Sequence, residues 1–338
     1  MVTIKDISKK CGYSITTVSK ALNDYSDISY ATKHKILDLA NEMGYIPNLS
    51  ARSLVTQKSY TIGVIFEEIT GVGLQHPLFS KILESFKNVC EQDGYDIMFL
   101  SKHTGGQNGS YLQHSVRKQV EGILVLCADF NSPEMIELYD SNLPMLTIDY
   151  GQPKLLNITS NNEEGIKQAV RYLRDLGHTK IANIYGGEVT YIGAQRKEFF
   201  EQSMAKMNLE IPLGYQVEGE FFSKEDGYKA MRKLLKLADP PTAIFCASDM
   251  LAIGAIQAIQ QVGKHVPDDF SIIGFDGIDI GQIIHPRLTT IKQDTRKIGV
   301  LAASQILQMI DEKKRKLKGE TITVDTYLVT GETTKVMR

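Results

Sequence analysis

The sequence predicts an all-α helix-turn-helix head joined to an α/β body of two doubly wound parallel-sheet lobes. Three observations carry this. Thr3 to Asn23 holds two short capped helical patterns separated by a glycine. From Tyr60 onward, apolar runs of strand length alternate with helical stretches, the pattern of βαβ units. Between these regimes, Pro47 stops the chain and a polar segment follows.

In the head, Thr3 is placed to cap a first helix, and Asp6 three residues on completes a capping box. Ile4, Ile7 and Cys11 share one stripe, and Gly12 stands where a helix ends in a positive φ. Ser14 caps a second helix, Ile15 to Leu22, that buries Val18 and Leu22. Its N-terminal end leaves Ile15, Thr16, Thr17, Ser19 and Lys20 free. A helix-turn-helix presents such an end to base edges in the major groove. Hydroxyls there bond phosphates or bases, and a lysine reaches guanine O6 and N7. A third helix runs from a Ser29 cap to Met43, with Ile36, Leu39, Ala40 and Met43 buried and Gly44 closing it.

The run TIKDISKKCGYSITTVSKALN, continued by Gly44-Tyr45-Ile46-Pro47-Asn48, resembles the N-terminal signature of the lactose-repressor (LacI/GalR) family of bacterial transcription regulators. The resemblance implies a DNA-binding head over residues 1–46, with Thr3, Ser14, Ile15, Thr16, Thr17, Ser19, Lys20 and Asn23 at the DNA. It also implies a hinge helix and linker over residues 47–59. The segment NLSARSLV is about two turns long, and isolated helices below about 12–15 residues are marginal in water, so it orders only by pairing with its twin on DNA. By the resemblance, Asn48 and Ala51 meet the minor groove and Leu54 is the wedge between base pairs.

Composition agrees with a globular, cytoplasmic protein: 42% of residues are hydrophobic and 23% charged. No apolar run reaches the roughly 18 residues of a membrane span, and Met1-Val2-Thr3 leads directly into a helix cap. Cys11, Cys90, Cys127 and Cys246 form no CxxC pair and read as reduced core thiols. Residues 1–60 hold eight Lys/Arg against five Asp/Glu, whereas the remainder holds 30 against 35. A mildly basic head on an acidic body suits a DNA module carried by a body that avoids DNA.

In the body, Ile62–Phe66, Tyr95–Leu100, Gly122–Cys127 and Met145–Ile148 read as strands of a first lobe. Lys180–Tyr185, Tyr215–Val217, Ala243–Cys246 and Ser271–Phe275 read as strands of a second, and Thr321–Val329 is strand-like. The expected lobes are about 60–160 with 292–320, and 161–291 with 321–338. The basic run Lys313-Lys314-Arg315-Lys316 suits the C-terminal end of a helix.

No catalytic constellation, metal-ligand spacing or cofactor fingerprint stands out. What does is a set of polar residues just beyond buried strands: Asp149, Ser248, Asp249 and Asp276, with Arg196 opening a helix. Taken singly, an acidic residue after a strand also caps the next helix. Together they surround one cleft mouth, where carboxylates and a guanidinium suit vicinal hydroxyls. The resemblance extends here. Ser248-Asp249-Met250-Leu251-Ala252-Ile253-Gly254 is similar to the family's ANDxMAxG run, Gly274-Phe275-Asp276 to its GFD element, Gly177-His178 to its LGH turn, and Leu288–Gln293 to its returning crossover.

By that similarity the body is periplasmic-binding-protein-like, and Asp149, Arg196, Ser248, Asp276 and Gln293 hold a small carbohydrate effector. Phe221 or Phe222 would stack on its ring. The chain departs from the family with Ser248 in place of Asn, with Lys197-Glu198-Phe199-Phe200 after Arg196, and with a longer Glu67–Pro77 segment. The expected protein is a non-enzymatic repressor, controlled by a small carbohydrate or sugar phosphate. It would bind a near-palindromic double-stranded operator as a homodimer, with no membrane partner. Two alternatives stay open: control by a protein partner docked on the body, and a sugar-modifying enzyme with a regulatory head.

Overall fold

The computed structural model describes residues 2–46, 58–67, 72–104, 106–152, 154–188, 190–312 and 319–337. The chain divides into two compact units, 1–59 and 60–338. The expected hinge residues Asn48, Ala51 and Leu54, and the basic run Lys313–Lys316, lie outside the described residues.

The head is built of α1 (Ile4–Cys11), α2 (Ile15–Leu22) and α3 (Tyr30–Glu42). Thr3 accepts from the Asp6 amide while the Asp6 carboxylate accepts from the Thr3 amide and hydroxyl, so two of the free N–H groups of α1 are satisfied. These bonds hold the Asp6 carboxyl below the usual range. Gly12 ends α1 at φ 78°, and its amide donates to the Ser8 carbonyl. The Ser8 hydroxyl then donates to the Tyr13 carbonyl at 2.6 Å, which closes the turn. Ser14 and Ser29 cap α2 and α3. Ile7, Val18, Ala21, Ile36 and Ala40 form the core, flanked by half-buried Ile4, Cys11, Leu22, Leu39 and Met43. Each fully buried Ile or Val contributes about 1.5–3 kcal/mol, so three small helices suffice.

The body begins with β1 (Thr61–Phe66), α4 (Phe79–Gln92) and β2 (Asp96–Phe99), then a small hairpin, β3 (His103–Thr104) and β4 (Gln107–Asn108). It continues through α5 (Tyr111–Arg117), β5 (Gly122–Cys127), α6 (Pro133–Asp140), β6 (Met145–Ile148) and β7 (Leu156–Ser160). The second lobe contains α7 (Asn162–Asp175), β8 (Ile181–Tyr185), α8 (Tyr191–Lys206), β9 (Gln216–Glu218), α9 (Lys224–Leu234) and β10 (Ala243–Cys246). It goes on with α10 (Asp249–Gln261), β11 (Ser271–Asp276), α11 (Asp279–Ile283) and β12 (Thr289–Gln293). The chain ends with α12 (Thr295–Asp311), β13 (Thr321–Val324) and β14 (Thr326–Val329).

Two six-stranded sheets result, ordered β13-β7-β6-β5-β1-β2 and β14-β12-β11-β10-β8-β9. Neighbours in both are parallel except β12 with β14. Helices cover both faces of such sheets, so the strands read as continuous apolar runs, as in the nearly wholly buried GILVLC of β5. Each sheet has its own core: Ile62, Leu124 and Leu146 against Ile298 and Ala302 of α12 in the first, Ile184, Phe245 and Ile272 among the buried residues of the second. Helices α9 and α10 touch backbone to backbone. A Cβ on Gly254 would lie 1.9 Å from the Lys224 carbonyl oxygen, and one on Gly227 would lie 2.1 Å from that of Leu251.

The lobe boundaries differ from expectation in two places. The strand-like Thr321–Val329 breaks at Asp325, and its first half, β13, joins the first sheet beside β7 rather than the second lobe. Lys292 and Gln293 stay in β12 of the second sheet rather than the first lobe. The chain thus passes between the lobes just after Ser160, Gln293 and Val324. Strand β7, which bears directly on the cleft, was absent from the sequence reading.

Candidate functional site: a helix-turn-helix face and an interlobe cleft

On the head, α2 leaves only part of the expected set free at its N-terminal end. Ile15 is 47% exposed and Thr16 is exposed beside it. Thr3 and Ser14 are engaged as caps, and the Thr17 hydroxyl lies 2.8 Å from that of Ser14. Asn23 follows the last turn, its amide donating to the Ser19 carbonyl at 2.9 Å. Lys20 is paired with Asp27. Ile15 and Thr16 are therefore the exposed side chains of the first turn with no role in its caps, whereas Ser19 and Lys20, both half-buried, lie in the last turn. The free N–H groups at the start of α2 add partial positive charge suited to a phosphate.

In the body, polar side chains converge at the carboxyl ends of β6, β7, β10, β11 and β12. Arg196, 3% exposed on α8, is the hub. Its Nε donates to Asn162 Oδ1 at 2.9 Å, and its Nη1 donates to the Ala247 carbonyl at 2.6 Å and to Asp276 Oδ1 at 3.3 Å. The guanidinium lies over the Phe275 ring, 4.0 Å from its centroid. Gln293 Nε2 donates to the same Asp276 oxygen at 2.7 Å, while its Oε1 accepts from Ser160 Oγ at 2.5 Å. Asn162 also donates to the Ser160 carbonyl and to Gln195 Oε1. Asp149 Oδ1 accepts from Thr159 Oγ1 at 2.6 Å. Asp149, Arg196, Asp276 and Gln293 thus belong to one network, joined through Thr159, Ser160 and Asn162 across both lobes.

Backbone strain collects at the same place. Asp149 has φ 56°, Phe222 φ 61° and Asp276 φ 119°. Such conformations cost of order 1–3 kcal/mol each and persist where the surroundings over-determine them. A bulky residue such as Phe222 is the least suited to it. Its ring presses on Gly186, where a Cβ would lie 1.9 Å from Phe222 Cζ. Phe221 is 48% exposed, so Phe222 is the aromatic fixed at the end of β8.

Electrostatically, two carboxylates, Asp276 and Asp149, share the Arg196 guanidinium, and a third, Asp249, lies beside Asp276. Burial pushes Asp276 up to about 6, with Arg196 and Gln293 pulling it down and the Asp149 charge adding to the rise. Burial likewise raises Asp149, opposed by the Thr159 hydroxyl and Arg196. Asp249 is raised by burial and by the charge of Asp276. It accepts from Thr290 Oγ1 at 2.5 Å and from the Ile278 amide at 2.8 Å, so it ties α10 to β11 and β12.

Ser248 has a structural part besides the expected one. It is 3% exposed, and its hydroxyl caps α10 by accepting from the Leu251 amide while donating to the Phe222 carbonyl at 3.4 Å. The hydroxyl thus links the start of α10 to the Phe222 backbone and keeps one acceptor lone pair for a further partner. Sequence reasoning missed Thr159 and Ser160, at the end of the unread β7, and Asn162, the first residue of α7. It also missed an aromatic wall: Phe130 stacks on Tyr150 with centroids 3.6 Å apart, and Tyr150 meets Tyr191 edge-on at 5.9 Å. Tyr150 follows Asp149 directly, which was the available signal.

A helix-turn-helix head on a two-lobed body with a polar interlobe cleft defines the class of DNA-binding transcription regulators with a built-in ligand-binding-type domain. The model of "Bacterial regulatory proteins, lacI family" matches residues 3–48, and that of "Periplasmic binding protein-like domain" matches residues 170–334. The chain is 39% identical over 320 residues to the probable HTH-type transcriptional repressor ExuR of Bacillus subtilis (strain 168), covering 94% of each chain. It is 35% identical over 322 residues to the HTH-type transcriptional repressor PurR of Histophilus somni (strain 129Pt), again covering 94% of each. The lac repressor dimer bound to operator and the anti-inducer ONPF superposes with a TM-score of 0.84 at 26% identity, over 99% of both chains. The chain belongs to the lacI family of bacterial regulatory proteins. No helix among the described residues is long and apolar enough to cross a membrane.

Proposed function

We propose that this regulator is a homodimeric repressor whose hold on a near-palindromic operator is set by a small carbohydrate or sugar phosphate in the interlobe cleft. Residues 1–46 read the operator, with Ile15, Thr16 and Lys20 on base edges. Residues 47–59 act as the hinge, with Asn48, Ala51 and Leu54 at the minor groove, and residues 60–338 bind effector and partner subunit. The observation that carries the reading is the Arg196–Asp276–Gln293–Asp149 network, which gathers hydroxyl-pairing groups from both lobes. A polyol bonded to both lobes favours one angle between them, and such a ligand shifts the operator-binding state only through different affinity for the two states.

The test is calorimetric titration of the full chain with panels of neutral sugars, sugar acids and sugar phosphates, alongside an operator gel shift. A ligand that binds the wild type, is lost in Asp276→Ala, and changes operator affinity only when Asp276 is present supports the reading. Ligand response preserved in Asp276→Ala sinks it.

A further inference from the structure

We propose that Asp27 is a specificity-determining residue of the DNA-binding head, a positioning residue that aims the Lys20 ammonium at a base edge. The inference rests on the reading of α2 as the base-reading helix.

Lys20 lies in the last turn of α2, and Asp27 lies in the loop that leads to α3. Lys20 Nζ donates to Asp27 Oδ2, with the side chains 38% and 53% exposed. Both groups therefore stand on the solvent side of the head. The loop that carries Asp27 is anchored at each end. The Tyr25 amide donates to the Lys20 carbonyl at 3.1 Å, and that of Asp24 donates to the Ala21 carbonyl at 3.4 Å. On the other side, Ile28 packs on the head core and Ser29 caps α3. The backbone that carries Asp27 is thus anchored by the fold close to the end of α2.

Two consequences follow for the lysine. An unpaired lysine is a flexible point charge that meets any nearby phosphate as readily as a base. Pairing with Asp27 takes one of its three N–H donors and restrains the stem, leaving two donors for the guanine O6 and N7 acceptors. The adjacent carboxylate also repels phosphate oxygens, so the ammonium contributes less to sequence-independent binding. A second pair in the same loop, Asp24 with Lys33, serves as an internal comparison because Lys33 lies on α3.

The test is selection of bound duplexes from a randomised pool by the full-length wild type, Lys20→Ala, Asp27→Asn, Asp27→Glu, Asp24→Asn and the double variant Lys20→Ala/Asp27→Asn. Thermal melts confirm folding of each variant. Asp27→Asn is expected to flatten the preference at the base pair that Lys20→Ala flattens, by about fivefold or more in base discrimination. Asp27→Glu keeps that preference, and Lys20→Ala/Asp27→Asn matches Lys20→Ala alone. On nonspecific DNA, Asp27→Asn steepens the salt slope by about 0.9, one further phosphate contact. A Lys20-dependent position indifferent to Asp27 overturns the proposal alone, as does equal flattening by Asp24→Asn or a uniform loss at all positions. A wild type that enriches no motif, or a Lys20→Ala motif unchanged from it, overturns the reading of α2 and this proposal with it.

Discussion

Replacing Arg196 with alanine tests the cleft through its electrostatics. The change removes the donor to Asn162 Oδ1, to the Ala247 carbonyl and to Asp276, and the cation over Phe275. Breaking a buried ion pair from one side costs roughly 3–5 kcal/mol when the remaining charge stays ionised. Asp276 has an escape, because it already titrates at about 6 with Arg196 present. Without the guanidinium its pKa rises further, and the carboxyl takes up a proton instead of remaining as a bare charge.

The sign of the pH dependence follows. A carboxyl whose folded pKa lies above its ordinary 3.8 destabilises the fold progressively as pH rises from 3.8 to the folded pKa, and no further beyond it. In the wild type this loss is complete a little above pH 6. In Arg196→Ala it continues upward, at a limiting slope of about 1.4 kcal/mol per pH unit. The variant is therefore expected to be modestly destabilised near pH 5.5 and increasingly so toward pH 8. The assay is urea unfolding followed by circular dichroism at half-unit pH steps on the full-length wild type and variant. Parallel stability–pH curves would refute the assignment of Arg196 as the counter-charge of Asp276.

Two further outcomes are expected. Gly254→Ala should destabilise the second lobe by about 3 kcal/mol or more in urea melts, since its Cβ meets backbone 1.9 Å away and backbone relaxes less readily than side chain. Phe222→Ala should weaken binding of an identified effector at least tenfold while leaving operator affinity without effector within twofold, because the ring sits at the cleft and not in the head.

Much of the molecule was legible in local sequence, for a physical reason. A cap, a positive-φ glycine and a periodic apolar stripe act within a few residues, so Thr3, Gly12, Ser14 and Ser29 delimit the head helices without reference to anything distant. Buried parallel strands are likewise written as apolar runs, and Gly122–Cys127, Met145–Ile148 and Ala243–Cys246 are read to the residue. Strand β7, LNITS, escaped because it alternates polar and apolar side chains while being buried throughout, and only the packing of two faces makes it a core strand.

The tertiary structure alone decided the rest. Ser160 and Gln293 are 133 residues apart and meet because the chain crosses between the lobes directly after each. Local pattern also left Ser248 ambiguous between cap and ligand contact, and Phe221 equivalent to Phe222. The tertiary structure shows the serine capping α10 and touching the Phe222 carbonyl, and it distinguishes the two aromatics by seating the Phe222 ring on Gly186 while Phe221 is exposed. The split of Thr321–Val329 between two sheets has the same origin. Its residues have equal propensity on either side of Asp325, and only the free edges beside β7 and β12 determine which half goes where. Helix caps and strand runs are near-neighbour chemistry that the sequence states by itself, whereas a cleft is an arrangement of chain ends that exists only once the sheets have formed.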